Sequence, residues 1–235
     1  MSGVVSSPLG PAELAATGDG TPYSTLYDAV YHTAHGGLAQ ARHVFLGGND
    51  LPARWNGADN FVIGETGFGL GLNFLATWQA WRGSTTSGQL HYVSVEKHPF
   101  RRDDLAELLA PHTELAALAD ELLQQWPPLT QGSHSLNFAR DKVTLTLLLG
   151  DARTMLPQLT TKLDALYLDG FAPSKNPDLW SPELLATLTR LCKGNSTLAT
   201  WSVAGNVRRA LEQAGWRLKR RPGFAGKREM LVGCL

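Results

Sequence analysis

The sequence predicts an α/β protein built on a mostly parallel sheet, and three observations carry that reading. Phe61-Val62-Ile63 is an apolar run followed by a glycine-dense turn, Gly64 to Gly71, and then by Leu72, Phe74, Leu75, Trp78 and Trp81 at helical spacing. Short apolar runs alternate with helical patterns from there to the C-terminus. Acids stand where those runs end, at Glu65, Glu96, Asp151 and Asp169. Ligands of open parallel sheets sit at the C-terminal ends of the strands, so these four acids mark the predicted site.

The glycine turn is the centre of the chain. Glycines permit a tight turn and close backbone approach to a ligand. Gly67-x-Gly69-x-Gly71 is not the dinucleotide spacing, and no Lys-Ser/Thr follows it as in a P-loop. A turn that merely needs positive φ is the competing reading. Glu65, read as part of the turn, would repel a pyrophosphate and suit a ligand with a cationic end, such as the amino group of S-adenosylmethionine.

The remaining elements follow in order. Residues 1–22 are rich in Gly, Ser, Pro and Ala and are expected to be ordered only in part. Arg42–Leu46 and Leu51–Trp55 read as strands around a Gly47–Asp50 turn, a β-hairpin covering the main sheet. The expected division is therefore 1–60, extension and hairpin cover, and 61–235, main domain. Leu90–Glu96 is the second strand, and Glu96 at its end can accept both hydroxyls of a ribose or be a solvated loop acid. Asp103–Trp126 reads as two helices broken at Pro111. Ser133–Phe138 alternates, and Val143–Leu149 is the third main strand. Asp151 is an N-cap that can also reach an adenine amino group. Asp164–Asp169 is a buried strand, and 170–180 an ordered loop with two prolines. Ser181-Pro182-Glu183 starts a helix that Gly194 is expected to close. Ser196–Trp201 is the fifth strand, Asn206–Ala214 a helix, and Trp216–Arg221 and Glu229–Val232 a terminal hairpin.

Composition excludes several classes. The 235 residues carry 21 basic and 21 acidic side chains, so nucleic-acid binding would rest on a local patch. The stretch from Arg208 to Leu235 supplies one, including Lys227 and Arg228. Cys192 and Cys234 fit neither a disulfide framework nor a metal site, and the His32–His35 pair has no further ligand beside it. No metal is expected. No signal peptide or apolar run of membrane-spanning length is visible, which predicts a cytoplasmic protein with no membrane partner.

Three strings in order, GETGFGLGLNFL, LDGFAPSKNPDLW and GKREML, together with VFLGGN at 44–49, resemble the methyltransferase domain of the bacterial bifunctional tRNA-modifying family MnmC. The resemblance runs from about Gly20 to Leu231. It implies a Rossmann-like class I S-adenosylmethionine-dependent methyltransferase: a seven-stranded, mostly parallel sheet with one antiparallel strand and a small N-terminal cover. The activity it implies is methylation of the amine of 5-aminomethyl-2-thiouridine at the tRNA wobble position, U34, giving 5-methylaminomethyl-2-thiouridine. The tRNA partner is then bound at its anticodon stem-loop. By motif, Glu65, Thr66, Gly67, Phe68, Gly69 and Asn73 would hold the methionine end, Glu96 and Lys97 the ribose, and Gly150 and Asp151 the adenine. Tyr31 would close over the cofactor. Asp169 would touch both cofactor and amine and be the catalytic residue, with Gly170, Phe171, Lys175 and Trp180 at the substrate. Leu70 departs from the small or hydroxyl residue usual in the turn, and Ala225 interrupts a Gly-Phe-Gly string. The FAD-dependent oxidase of fused members is expected to be absent from this chain. Two other classes remain open, a nicotinamide-dependent oxidoreductase and a non-catalytic RNA-binding module. Cofactor titration separates the first and a methylation assay the second.

Overall fold

A computed structural model describes residues 7–18, 20–32 and 36–235. The apolar run of the glycine unit forms strand β4 (Asn60–Thr66), buried from Phe61 onward. A strand covered on both faces reads as continuous apolar sequence, because each successive side chain enters a different core. Ile63 packs with Tyr92, Leu147 and Tyr167 on one face, whereas Val62 packs with Val93, Leu148 and Leu166 on the other.

Eight strands make the main sheet. In chain order they are β4, β5 (Gln89–Glu96), β6 (Gly132–Phe138), β7 (Val143–Leu149), β8 (Leu163–Leu168), β9 (Cys192–Thr200), β10 (Arg217–Pro222) and β11 (Glu229–Cys234). Their order across the sheet is β10-β11-β9-β8-β4-β5-β7-β6. The pairings among β9, β8, β4, β5 and β7 are all parallel, and β11 enters antiparallel to β9. The seven expected strands, with the terminal one reversed, are therefore all present. An eighth is added: the alternating segment noted at 133–138 pairs antiparallel with β7 at the edge.

Helices α2 (Leu72–Arg82), α3 (Arg102–Leu109) and α4 (Ala116–Gln124) cover one face. Helices α5 (Ala152–Met155), α6 (Pro182–Leu191) and α7 (Gly205–Gln213) cover the other. Asp151 caps α5 by accepting from the Arg153 N–H at 2.9 Å, and Ser181 caps α6 at the Leu184 N–H. Gly194 does not close α6. The helix ends at Leu191 and the chain enters β9 directly at Cys192, so Gly194 is a strand residue.

The hairpin expected at 42–55 is not formed. Helix α1 (Gly37–Gln40) continues through wider helical turns to Leu46 and a tight turn at Gly47–Asn49, and Ala53–Trp55 is a further tight helical turn. Leu38, Ala41, Val44, Phe45 and Gly48 form one buried helical face, while Arg42, His43 and Gly47 are exposed. A short apolar run such as Val44-Phe45-Leu46 serves a buried helix as well as a strand. Gly47-Gly48 misled for a packing reason: a Cβ on Gly48 would lie 2.6 Å from the Ala199 Cβ, so this glycine lets the segment press on β9. A small antiparallel N-terminal sheet does exist, built from earlier residues, β1 (Leu14–Ala16), β2 (Pro22–Ser24) and β3 (Ala29–Val30). Residues 1–6 and 19, part of the stretch expected to be incompletely ordered, lie outside the described residues.

Candidate functional site

Five parallel strands, β4, β5, β7, β8 and β9, deliver their C-terminal ends to one cavity of about 370 Å³. From β4 comes the glycine turn, in which Gly67, Gly69 and Gly71 take φ of 75°, 51° and 73°. Side chains rarely adopt such values, so the glycines are required here. A Cβ on Gly67 would come 3.2 Å from the Gly170 Cα, so the turn and the end of β8 run almost backbone to backbone. Gly67, Phe68 and Gly69 line the cavity with Asn73 from α2.

β5 contributes Glu96 and Lys97. The Glu96 carboxylate accepts N–H groups of Gly69 at 2.9 Å and His98 at 2.8 Å, tying the glycine turn to the second strand. Burial pushes its pKa up and these backbone donors pull it down. β7 leads to Gly150 and Asp151. Asp151 accepts from Arg153 Nε at 3.0 Å, from Arg153 Nη2 at 2.8 Å and from Lys97 Nζ at 3.1 Å. The Arg153 guanidinium holds its carboxyl well below the usual carboxylate range, with Lys97 adding to the effect.

Asp169, just past β8, is the most engaged group. Its Oδ1 accepts from the Gly170 N–H at 2.8 Å and Trp201 Nε1 at 3.0 Å, and its Oδ2 from Asn73 Nδ2 at 2.8 Å. Burial raises its pKa; the donors from Gly170, Asn73 and Trp201, and the charge of Lys227, oppose that shift. A carboxylate has about four acceptor positions. Three are taken by the scaffold, which leaves one for a ligand.

Glu65 is not in the turn. It is the penultimate residue of β4, 1 % exposed, and lies beneath the cavity rather than in its lining. Its carboxyl accepts from Asn73 Nδ2 at 2.8 Å and Ser94 Oγ at 2.6 Å. Burial pushes its pKa up to about 8. The same Asn73 amide thus spans Glu65 and Asp169. Thr66 is also beneath the surface, its hydroxyl donating to the Asp169 carbonyl at 2.8 Å. Both residues support the site from below.

Tyr31 lines the cavity, its ring packed on Phe100 and Phe171. Gly170 and Phe171 line it, and so does Lys227, which the sequence places only in the basic C-terminal patch; Lys175, Trp180 and Arg228 do not line it. Lys175 pairs with the exposed Asp28, so it bridges the N-terminal cover to the 170–180 loop. Trp180 is buried, and its Nε1 donates to the Phe171 carbonyl at 2.8 Å. A large apolar ring with one satisfied polar edge is an anchor for the loop. Arg228 is exposed.

Sequence reasoning missed Tyr27, Arg153 and Trp201, all in the lining. Tyr27 stacks on Phe171, with centroids 4.5 Å apart and planes 22° apart. Trp201 directly follows β9, so the strand-end rule that found the acids would have found it had aromatics been included.

Four carboxylates, Glu96, Asp151, Asp169 and Asp178, face three cations, Lys97, Arg153 and Lys227, around the cavity. Such a near-balanced lining fits a zwitterionic sulfonium and not a polyphosphate. The volume lies at the small-ligand end of ordinary pockets. Among the described residues no cluster of His, Cys, Asp and Glu could hold a metal ion, and no helix is long and apolar enough to cross a membrane.

A central parallel sheet with a reversed terminal strand, a glycine turn after its first strand and acids at the next strand ends defines a class I methyltransferase. The family described as S-adenosyl-L-methionine-dependent methyltransferase matches residues 113–235, more than half of the chain, and the chain belongs to it. It is 58% identical over 227 residues to the "tRNA 5-methylaminomethyl-2-thiouridine biosynthesis bifunctional protein MnmC" of Aromatoleum aromaticum, a match covering 96% of this chain and 36% of that one. The protein of the same description from Azoarcus sp. is 56% identical, with the same coverage. The chain spans about a third of the length of these curated relatives. Among solved structures, MNMC2 from Aquifex aeolicus superposes with a TM-score of 0.76 at 22% identity, covering 95% of this chain and 70% of that one, a likeness of fold.

Proposed function

We propose that this methyltransferase N-methylates the aminomethyl group of 5-aminomethyl-2-thiouridine at the wobble position of tRNA, a cytoplasmic reaction. One observation carries the reading. Asp169 meets the glycine turn with three of its acceptor positions filled and one open, which suits a single N–H of an amine. The names of the relatives support the same substrate. In this reading Gly67, Phe68, Gly69 and Asn73 hold the methionine end of the cofactor and Glu96 and Lys97 the ribose. Gly150 and Asp151 frame the adenine, and Tyr31 covers it. The bound cofactor supplies an electrophilic methyl group on a sulfonium, which only a neutral amine can take.

The chain's own residues supply position. Asp169 holds an amine N–H and so aims the nitrogen lone pair; positioning is most of what an in-line displacement needs. The Trp201, Gly170 and Asn73 donors fix Asp169 in turn, and Glu65 and Thr66 fix that layer from below. Phe171 and Tyr31 keep the cavity wall apolar. For tRNA, part of the basic C-terminal stretch is consumed locally: Arg208 pairs with Glu212, Arg220 with Glu229 and Arg221 with Asp50. Arg209, Lys219 and Arg228 are exposed and carry no salt bridge to a described residue, so these are the proposed phosphate contacts. The test is labelled-methyl transfer to tRNA whose wobble base carries the aminomethyl group, against the same tRNA without it. Transfer to both alike, or to neither, rejects the assignment.

A further inference from the structure

The cavity's three cations are not used alike. Lys97 and Arg153 are spent on Asp151, and Arg153 also meets Asp178 at 3.1 Å. Lys227 has no salt bridge to a described residue, and its Nζ lies 3.4 Å from the centre of the Trp201 ring. That same indole donates its N–H to Asp169. One ring therefore offers its edge to a carboxylate and its face to an ammonium, and holds the two apart beside the glycine turn. A cation over the face of Trp is electrostatically favoured, so the placement is stable and directional.

We propose that Lys227 sets the charge state in which the substrate's amine meets Asp169, an inference that rests on the aminomethyl reading of the site. An ordinary alkylamine is an ammonium at neutral pH, and an ammonium has no lone pair to offer. A lone carboxylate in a poorly hydrated pocket would favour that unreactive form, because an opposite charge nearby stabilises the charged state. Lys227 offsets Asp169. With the pair close to neutral, the amine enters as the free base: one N–H bond breaks, its electron pair stays on nitrogen, and the proton leaves to solvent water. Asp169 still accepts the remaining N–H. From outside its own segment, Asp169 is the charge that acts on Lys227, and Glu65 lies buried behind it. Within the segment Arg228 and Glu229 follow, the latter engaged by Arg220. Lys227 is an exposed residue whose ammonium end turns into the cavity; partial loss of hydration there pulls its pKa down and the Asp169 charge pulls it up.

The test compares wild type, Lys227→Met and Lys227→Arg on tRNA bearing the aminomethyl group and on unmodified tRNA, from about pH 6 to about pH 10. Without the cation, the acid limb of the methylation profile should move up by about one pH unit, so turnover drops about tenfold at pH 7 and recovers by pH 9.5. At pH 7 Lys227→Met should also bind aminomethylated tRNA about fivefold tighter, relative to unmodified tRNA, because the ammonium is now held by Asp169. Lys227→Arg should restore the wild-type profile. A uniform loss at every pH, with no gain in binding preference, would overturn the inference and leave Lys227 a phosphate or packing contact. If wild type itself fails to methylate the aminomethylated tRNA, the proposed function falls and the Lys227 inference with it.

Discussion

Replacing Asp169 by Asn gives a sharper test than deleting it. The carboxylate receives three scaffold donors, from Gly170, Trp201 and Asn73, and has about one acceptor position to spare. An Asn carbonyl has two acceptor positions. If its oxygen keeps the Gly170 and Trp201 donors, none is left for the substrate, and the new amide NH₂ points at the Asn73 NH₂. Loss of a hydrogen bond to a charged group costs about 1.5–3 kcal/mol, roughly a ten- to hundredfold fall in turnover. Asp169→Asn should therefore fall about as far as Asp169→Ala in labelled-methyl transfer, although Asn looks conservative. The clash with Asn73 is relieved if the Asn73 amide rotates, which turns its oxygen toward Glu65. That is acceptable only while Glu65 is protonated, and its pKa of about 8 makes it so at neutral pH. Asp169→Asn should accordingly melt close to wild type at pH 6.5 and well below it at pH 9. Turnover of Asp169→Asn within a few-fold of wild type, with Asp169→Ala dead, would refute the acceptor count.

Three further outcomes are expected. Gly67→Ala places a Cβ 3.2 Å from the Gly170 Cα at φ 75°, a strain of about 1–3 kcal/mol, so calorimetry should show both a lower Tm and weaker S-adenosylmethionine binding, with no NAD binding in either protein. Glu65 is protonated in both folded and unfolded chains below about pH 4.5; between there and about pH 8 only the folded chain keeps the proton, so stability falls with rising pH and is lowest above 8. Glu65→Gln should flatten that decline by roughly 2–3 kcal/mol between pH 6 and 8 in denaturant titrations, and an unaltered slope would count against a protonated Glu65. Replacing Arg209, Lys219 and Arg228 by Ala should reduce the salt slope of tRNA binding by up to about three, whereas Arg220→Ala, already paired with Glu229, should change it little.

The sheet was legible because its strands are buried on both faces and end in Gly or acid, signals that survive in a single sequence. The placement of Glu96, Asp151 and Asp169 around one cavity follows from that rule alone. The 37–55 segment was not legible, since its glycines serve close packing on β9 and a turn would use the same letters. Glu65 reads as a turn residue because the apolar run stops at Ile63, whereas β4 continues three residues further, to Thr66, and so carries the carboxyl under the cavity floor. Trp201 and Lys227 lie 26 positions apart and meet only through the terminal hairpin, a contact no local pattern carries. Lys175 and Trp180 sit in the most distinctive string of the chain, yet one latches the cover and the other anchors the loop.

The stacking of Tyr27 on Phe171 bears on how a nucleobase could enter. The two rings lie nearly parallel, so that face of Phe171 is already taken, and Tyr31, in a T-shaped contact, closes another side. A base that stacks on this face must first evict Tyr27. The gain is then the difference between two stacks, about 1–3 kcal/mol for a base against about 0.5–1.5 for an aromatic pair. Under the proposed function, recognition at Phe171 would be a swap of partners with a small surplus. Unmodified bases would gain as much from it as modified ones, and discrimination would fall to the single open acceptor on Asp169.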